Sequence, residues 1–300
     1  LEASFQNGAH HASHSIQGDE QRFVKGFTLD VSKESQRIEP LCHRYILYVV
    51  KGVPTRRAPL YNGAVMMHEI DRRFFRALRR TRVVRPPRQA LSTFGTTAIH
   101  YYLVTAPVYT DVPGLNHQDE TVVREGTVHA ERPQVVTPYY LMRHEGFGEN
   151  ASRYLEEIMS EYGPDAPGLL YSYRNDPAET SIVSGRPRDV ARRISERLER
   201  EQRGMEAVIQ GVDEMWDVSL MKFIYELTDA SVLSNAAELE GRGLLEMEDG
   251  VPRDARRGIE ALLERARRGS ADPSEVHREL ERWGLFDEYQ DHFLGLFRSR

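Results

Sequence analysis

Three hundred residues are enough for one or two domains with a substantial core. A composition of 40% hydrophobic and 29% charged residues excludes wholesale disorder, and apolar runs no longer than "YILYVV" at 45–50 exclude a helical membrane span, which takes about 20 apolar residues. The net charge is −6, and the single cysteine, Cys42, excludes an intrachain disulfide and points to a reducing, cytoplasmic setting.

Residues 1–21 lack a hydrophobic period and read as a disordered tail. No apolar signal-peptide core stands among them, and His10, His11 and His14 are assigned no metal. Residues 23–60 are strand-like, with "RFVKGFTLDV", "RYILYVV" and "VPTRRAPLY" forming a hairpin. Cys42 sits beside the second of these strands and reads as a small buried hydrophobe, not a nucleophile. His43 next to it would point to the opposite face.

Residues 65–80 carry the helical period. Met67, Ile70, Phe74, Ala77 and Leu78 form one stripe, with arginines opposite. Pro86 and Pro87 then end regular structure. The β-branched and aromatic stretch 96–109 predicts a strand. "TVVREGTVHA" predicts two strands about a turn at Glu125-Gly126, and "RPQVVTP" a further short strand. Short strands joined by short turns favour an antiparallel sheet over βαβ units.

Beyond this block the pattern turns helical. Leu155, Ile158 and Met159 share a face in "ENASRYLEEIMSEYG", which Gly163-Pro164 stops. "GLLYSYRN" and "TSIVSG" read as two strands rejoining the sheet. A helix from Pro187 carries Val190, Ile194 and Leu198 four apart and ends at a Gly204 cap. Residues 205–241 read as the most apolar helical region, with Trp216 and Phe223 in the core. "DPSEVHRELERWG" begins with Asp272 as N-cap, Pro273 at the first helical position and Glu275 three after the cap. Residues 285–297 give a last amphipathic segment, which a subunit would dock on a partner. The expected fold is α+β: a disordered tail at 1–21, then an α+β domain over 22–185 with a small antiparallel sheet and a basic amphipathic helix. A mostly α-helical region over 186–300 follows it.

Arginine supplies the strongest functional signal. The chain has 36 arginines and four lysines, and Arg72, Arg73, Arg76, Arg79, Arg80, Arg82, Arg85 and Arg88 crowd into 17 residues where an even spread would place two. Residues 1–150 carry 19 basic and 15 acidic side chains, and residues 151–300 carry 21 and 31. Guanidinium groups recognise phosphate and carboxylate bidentately. These eight are therefore the candidate binding residues of a soluble intracellular binding or adaptor protein, with an anionic partner (RNA, DNA or an acidic protein surface). Tyr101, Tyr102 and Tyr109 on neighbouring strands would then stack bases. Neutralisation of the cluster by acids of the second half is the competing structural reading, with Asp213 and Asp217 one turn apart as acceptors. A membrane-surface helix inserting Phe74 and Phe75 is a weaker alternative.

Enzymatic readings rest on thinner patterns. His100, His117, Asp119, Glu120, His129, Glu131, His144 and Glu145 lie in or beside the β block, and a metal-dependent hydrolase or nuclease would draw on His100, His117, Asp119, His129 and Glu131. No metal-binding helix motif or Cys/His zinc spacing accompanies them, so no metal, cofactor or catalytic residue is assigned. Gly146 and Gly148 precede a helix with Asn150 at its cap, and Ser184-Gly185 precedes another with Pro187 and Asp189 in its first turn. Neither carries the rest of a nucleotide fingerprint. No Gly-x-Ser-x-Gly elbow occurs. Oligomeric state is left open.

Overall fold

The computed structural model describes residues 25–30, 44–50, 69–108, 120–143 and 149–298. The N-terminal 1–21 segment, Cys42, His43, Met67, Tyr109, His117, Asp119, His144, Glu145, Gly146 and Gly148 lie outside them. The fold is α+β, as the strand patterns of the first half and the helical patterns of the second predict.

Eight strands form one sheet: β1 (Lys25–Asp30), β2 (Arg44–Val50), β3 (Arg82–Arg85), β4 (Thr97–Thr105), β5 (Glu120–Ala130), β6 (Gln134–Val136), β7 (Gly168–Ser184) and β8 (Glu206–Gln210). Their order is β1-β2-β7-β5-β4-β8-β3, with β6 beside the start of β7. Every pair is antiparallel except β4 with β8. A small hairpin, β9 (Met247–Glu248) and β10 (Val251–Pro252), turns through Asp249 and Gly250, both at positive φ as a two-residue type I′ turn requires.

Among the described residues there are eight α-helices: α1 (Glu69–Arg80), α2 (Pro138–Met142), α3 (Glu149–Tyr162), α4 (Pro187–Arg200), α5 (Trp216–Gly241), α6 (Arg253–Arg267), α7 (Pro273–Trp283) and α8 (Phe286–Arg298). Three cores result. Helix α5 lays Leu220, Phe223, Ile224 and Leu227 against Ile99, Tyr101, Leu103, Tyr171, Tyr173 and Ile209 on one sheet face. A polar row on α5 is satisfied within that core. Asn235 bonds Tyr171 Oη, the Leu91 carbonyl and Thr93, Thr228 bonds Tyr173, and Ser231 Oγ accepts the Leu91 N–H. Helix α4 covers the other face, with Val190, Ala191 and Leu198 against Tyr102, Val104, Val123 and Val208. Helices α6, α7 and α8 pack with α2 and α3 over Val136 and Leu170.

Several local readings are corrected. Glu206–Gln210 is a strand, not part of a helix. Ala207 and Ile209 face α5, Val208 faces α4, and a segment apolar on both sides fits between two layers. Helix α5 starts only at Trp216. Through β8 the 186–300 segment enters the same sheet as the first half.

Glu125-Gly126 is not a turn. β5 runs through it as one strand with a register shift, and Gly126 is required there because a Cβ would lie 2.5 Å from Tyr101 Oη and 2.9 Å from the Asp176 carbonyl. "GLLYSYRN" and "TSIVSG" are likewise the two ends of a single 17-residue strand, β7.

Helix α4 ends before Gly204. Gln202 adopts φ 55, with Arg203 N–H on the Leu198 carbonyl and Gln202 N–H on the Glu199 carbonyl, the bond pattern of a Schellman cap. A side chain in this left-handed conformation is strained, so Gln202→Gly is expected to stabilise the fold by about 0.5–1 kcal/mol. A higher urea midpoint would report it, and an unchanged midpoint would refute the strain. The helix at 273–283 follows the sequence signals: Asp272 Oδ1 accepts the Ser274 N–H at 2.8 Å and Gly284 closes it at φ 68.

Candidate functional site

Helix α1 is fixed to the body of the protein by its apolar stripe. Ala77 is fully buried, and Phe74 and Leu78 pack against the α5 core. Thr81 Oγ1, just past the helix end, contacts the Ala77 carbonyl and Ser219 Oγ at 2.8 Å each. Lys222 donates from α5 to the Leu78 carbonyl (3.0 Å) and the Thr81 carbonyl (2.8 Å), so a cation from a neighbouring helix caps the negative end of α1. Phe74 is partly buried against the core, while Phe75 remains 43% exposed.

The eight arginines divide into three groups. Arg72, Arg76, Arg79 and Arg80 on α1 and Arg82 at the start of β3 are exposed, and no carboxylate among the described residues pairs with them. At about 100° per residue, Arg72, Arg76 and Arg79 fall within about 60° of one another. Arg73 is also exposed but lies 3.4 Å from Glu214. The third group, Arg85 and Arg88, faces the protein.

Arg85 is buried, and its guanidinium donates to Glu199 Oε1 (3.0 Å), the Arg203 carbonyl (2.7 Å) and the Glu206 carbonyl. Arg88 donates to Glu199 Oε2, and its N–H to the Gly204 carbonyl at 2.8 Å. Hydrogen bonds from Arg88 and then Arg85 hold the Glu199 carboxyl below the usual carboxylate range. Neutralisation by the acidic half therefore reaches Arg85, Arg88 and, in part, Arg73.

Asp213 does not serve the basic helix. It accepts from Arg124 (2.5 Å) and Thr105 (2.8 Å), a partly buried cluster beside Trp216 that sequence spacing gave no sign of. Asp217 is exposed. Tyr101 and Tyr102 are buried on opposite sheet faces and offer no ring to a base. The two strand tyrosines thus add no stacking surface to the basic face, and Phe75 is the exposed ring on α1.

The histidines are separated into two pairs. His100 Nε2 lies 3.5 Å from Glu125 and its ring meets Tyr102 edge-on, whereas His129 Nε2 lies 3.1 Å from Asp176, which also holds Arg174. Among the described residues no group of three or more His, Cys, Asp or Glu is placed to hold a metal ion. Around Ser184-Gly185 the Ser184 carbonyl is taken by Arg193 and the Gly185 carbonyl by Thr121. Leu285, Tyr289 and Leu296 of the last segment are buried in the helical core, with only Leu294 and Phe297 as exposed large apolar side chains. Among the described residues no helix is long and apolar enough to cross a membrane.

The chain matches no protein-family model, no curated protein and no solved structure.

Proposed function

We propose that the protein binds an anionic macromolecule through the outer face of α1 and the start of β3, with Arg72, Arg76, Arg79, Arg80 and Arg82 as its contacts. The supporting observation is five exposed arginines with no carboxylate partner among the described residues, four of them on a helix held at its end by Lys222 and along its length by Ala77, and the fifth, Arg82, at the start of β3. Like charges gathered on a rigid face repel one another, and a polyanion relieves that repulsion while releasing its own counterions. Nucleic acid is the first partner to test, because its phosphates repeat at a spacing that several arginines engage together and stacking rings are not needed for backbone contacts.

The test is fluorescence anisotropy with single-stranded RNA, single-stranded DNA and duplex DNA across a salt series. Five phosphate contacts predict a slope of log K against log salt of roughly −3.5 to −4.5. Reversing Arg72, Arg76 and Arg79 to Glu is expected to weaken binding at least ~100-fold while the unfolding free energy from urea denaturation stays within about 0.5 kcal/mol of the parent. Binding that survives the reversal would remove the site. A failure to bind any of the three nucleic acids would leave an acidic protein surface as the partner.

A further inference from the structure

A cleft of about 810 Å³ lies between strands β6 and β7 on one side and helices α6 and α7 on the other. That volume falls in the range of small-molecule sites. It is open because α6 turns Ala255, Gly258 and Ala261 toward it. A Cβ at Gly258 would meet no atom within 4 Å, so packing does not require glycine there, although glycine in a helix interior is unfavourable relative to alanine.

Both ends of the cleft are walled by matched charges. Arg132 donates to Asp254 Oδ1 at 3.0 Å, and the second oxygen of that buried carboxylate accepts the Val135 N–H at 3.3 Å. At the other end Tyr140 Oη donates to the Glu279 carboxylate (3.1 and 3.2 Å), which also accepts from Arg282 at 2.8 Å. Tyr140 is held neutral by burial and by the Glu279 charge, which raise its pKa.

Two further lining arginines differ. Arg265 and Arg278 are exposed and pair with no carboxylate among the described residues, and Arg278 acts on Asp272 only at longer range. Both arginines and Glu275 also line a second hollow beside α7, so the ridge between the two hollows carries Arg265, Glu275 and Arg278. Glu275 stands on that wall too, and Gln134 and Ser172 line the floor, offering hydrogen bonds to hydroxyl groups.

We infer that this cleft binds a small hydroxylated anion, a carboxylate or phosphate, with Arg265 and Arg278 on the anionic group and the space beside Gly258 taking its body. Planar guanidinium forks suit either anion. The inference is independent of the basic face on α1.

The experiment is isothermal titration of the full chain with citrate, glucose 6-phosphate and inorganic phosphate, each at ionic strength matched with sodium chloride. Two variants are compared with the parent: Gly258→Leu, and Arg265→Gln with Arg278→Gln. Leucine enters empty space and favours helix, so its urea midpoint is expected to be no lower than the parent's. Saturable binding of citrate or glucose 6-phosphate, weakened tenfold or more in both variants and unchanged by reversal of Arg72, Arg76 and Arg79, is the expected result. The inference is overturned by no saturable binding of any probe, by binding that Gly258→Leu leaves intact, or by loss on reversing the α1 arginines. Saturation by inorganic phosphate alone, indifferent to Gly258→Leu, would mean an adventitious ion only and would overturn it too.

Discussion

Replacing Arg85 with methionine is expected to destabilise the fold by about 2–4 kcal/mol, the largest loss among the eight clustered arginines. The side chain is only 6% exposed, and its guanidinium joins three parts of the chain: β3 itself, Glu199 in the last turn of α4, and the carbonyls of Arg203 in the link that follows and Glu206 at the start of β8. Methionine keeps an apolar stem of similar reach but leaves the two carbonyls without this donor. Glu199 is relieved in part because Arg88 still pairs with it. Urea denaturation at neutral pH is the check, with an unchanged m-value showing that the denatured state is not altered. A loss below about 0.5 kcal/mol would mean that the guanidinium does not hold this junction and would make Arg85 available to a partner. The contrast with Arg72, Arg76 and Arg79 is the point of the measurement: their reversal alters binding and leaves stability alone.

That contrast also marks how far the sequence could be read. On α1 the outward arginines follow directly from the helical period, because Phe74, Ala77 and Leu78 show which side is buried. Past Thr81 the period changes, and whether Arg85 or Arg88 faces water depends on Glu199, more than a hundred residues away in sequence. A window of local sequence contains no trace of that pairing. Helix α7 is the opposite case: Asp272, Pro273 and Gly284 are local cap signals and act locally.

The strands show the same division. Glu125-Gly126 in β5 and Asp176-Pro177 in β7 both look like turns, but Gly126 and Pro177 are partners across the ladder. Gly126 interrupts its strand's pattern where its missing side chain leaves room for the Tyr101 ring, and only the pairing reveals it. β2 pairs with residues 168–174 of β7, so Pro177, which has no N–H to donate, lies beyond that ladder. β8 was hidden for another reason. In "EAVIQ" the helix formers Glu206, Ala207 and Gln210 flank only two β-branched residues, the segment is buried on both sides, and its parallel pairing with β4 joins segments about a hundred residues apart. The cleft under α6 draws its walls from five elements, leaving Gly258 inside an otherwise strong amphipathic helix as its one sequence trace.

Alkaline solution is expected to unfold the protein through its buried tyrosines. Burial is the main cause that raises Tyr140, Tyr171 and Tyr173, with the Glu279 charge adding to it at Tyr140 and the bond to Thr228 opposing it at Tyr173. All three folded values lie above the ordinary tyrosine value near 10. Below that value both states keep the protons and nothing is gained or lost. Above it the unfolded chain ionises while the folded one does not, so the unfolded state binds fewer protons and stability falls as pH rises. Each tyrosine contributes about 1.4 kcal/mol per pH unit, and the three together remove about 4 kcal/mol by pH 11, a large share of the 5–15 kcal/mol typical of a domain. Circular dichroism and tyrosinate absorbance at 295 nm should then change together, with these three hydroxyls titrating only as the fold is lost. Tyr140→Phe keeps the ring stacked on Trp283, 4.4 Å between centroids, and is expected to reduce the slope by about 1.4 kcal/mol per pH unit. Full titration near pH 10 with an unchanged circular dichroism spectrum would show that these rings are reached by water in the folded protein, which their place between α5, α7 and the sheet forbids.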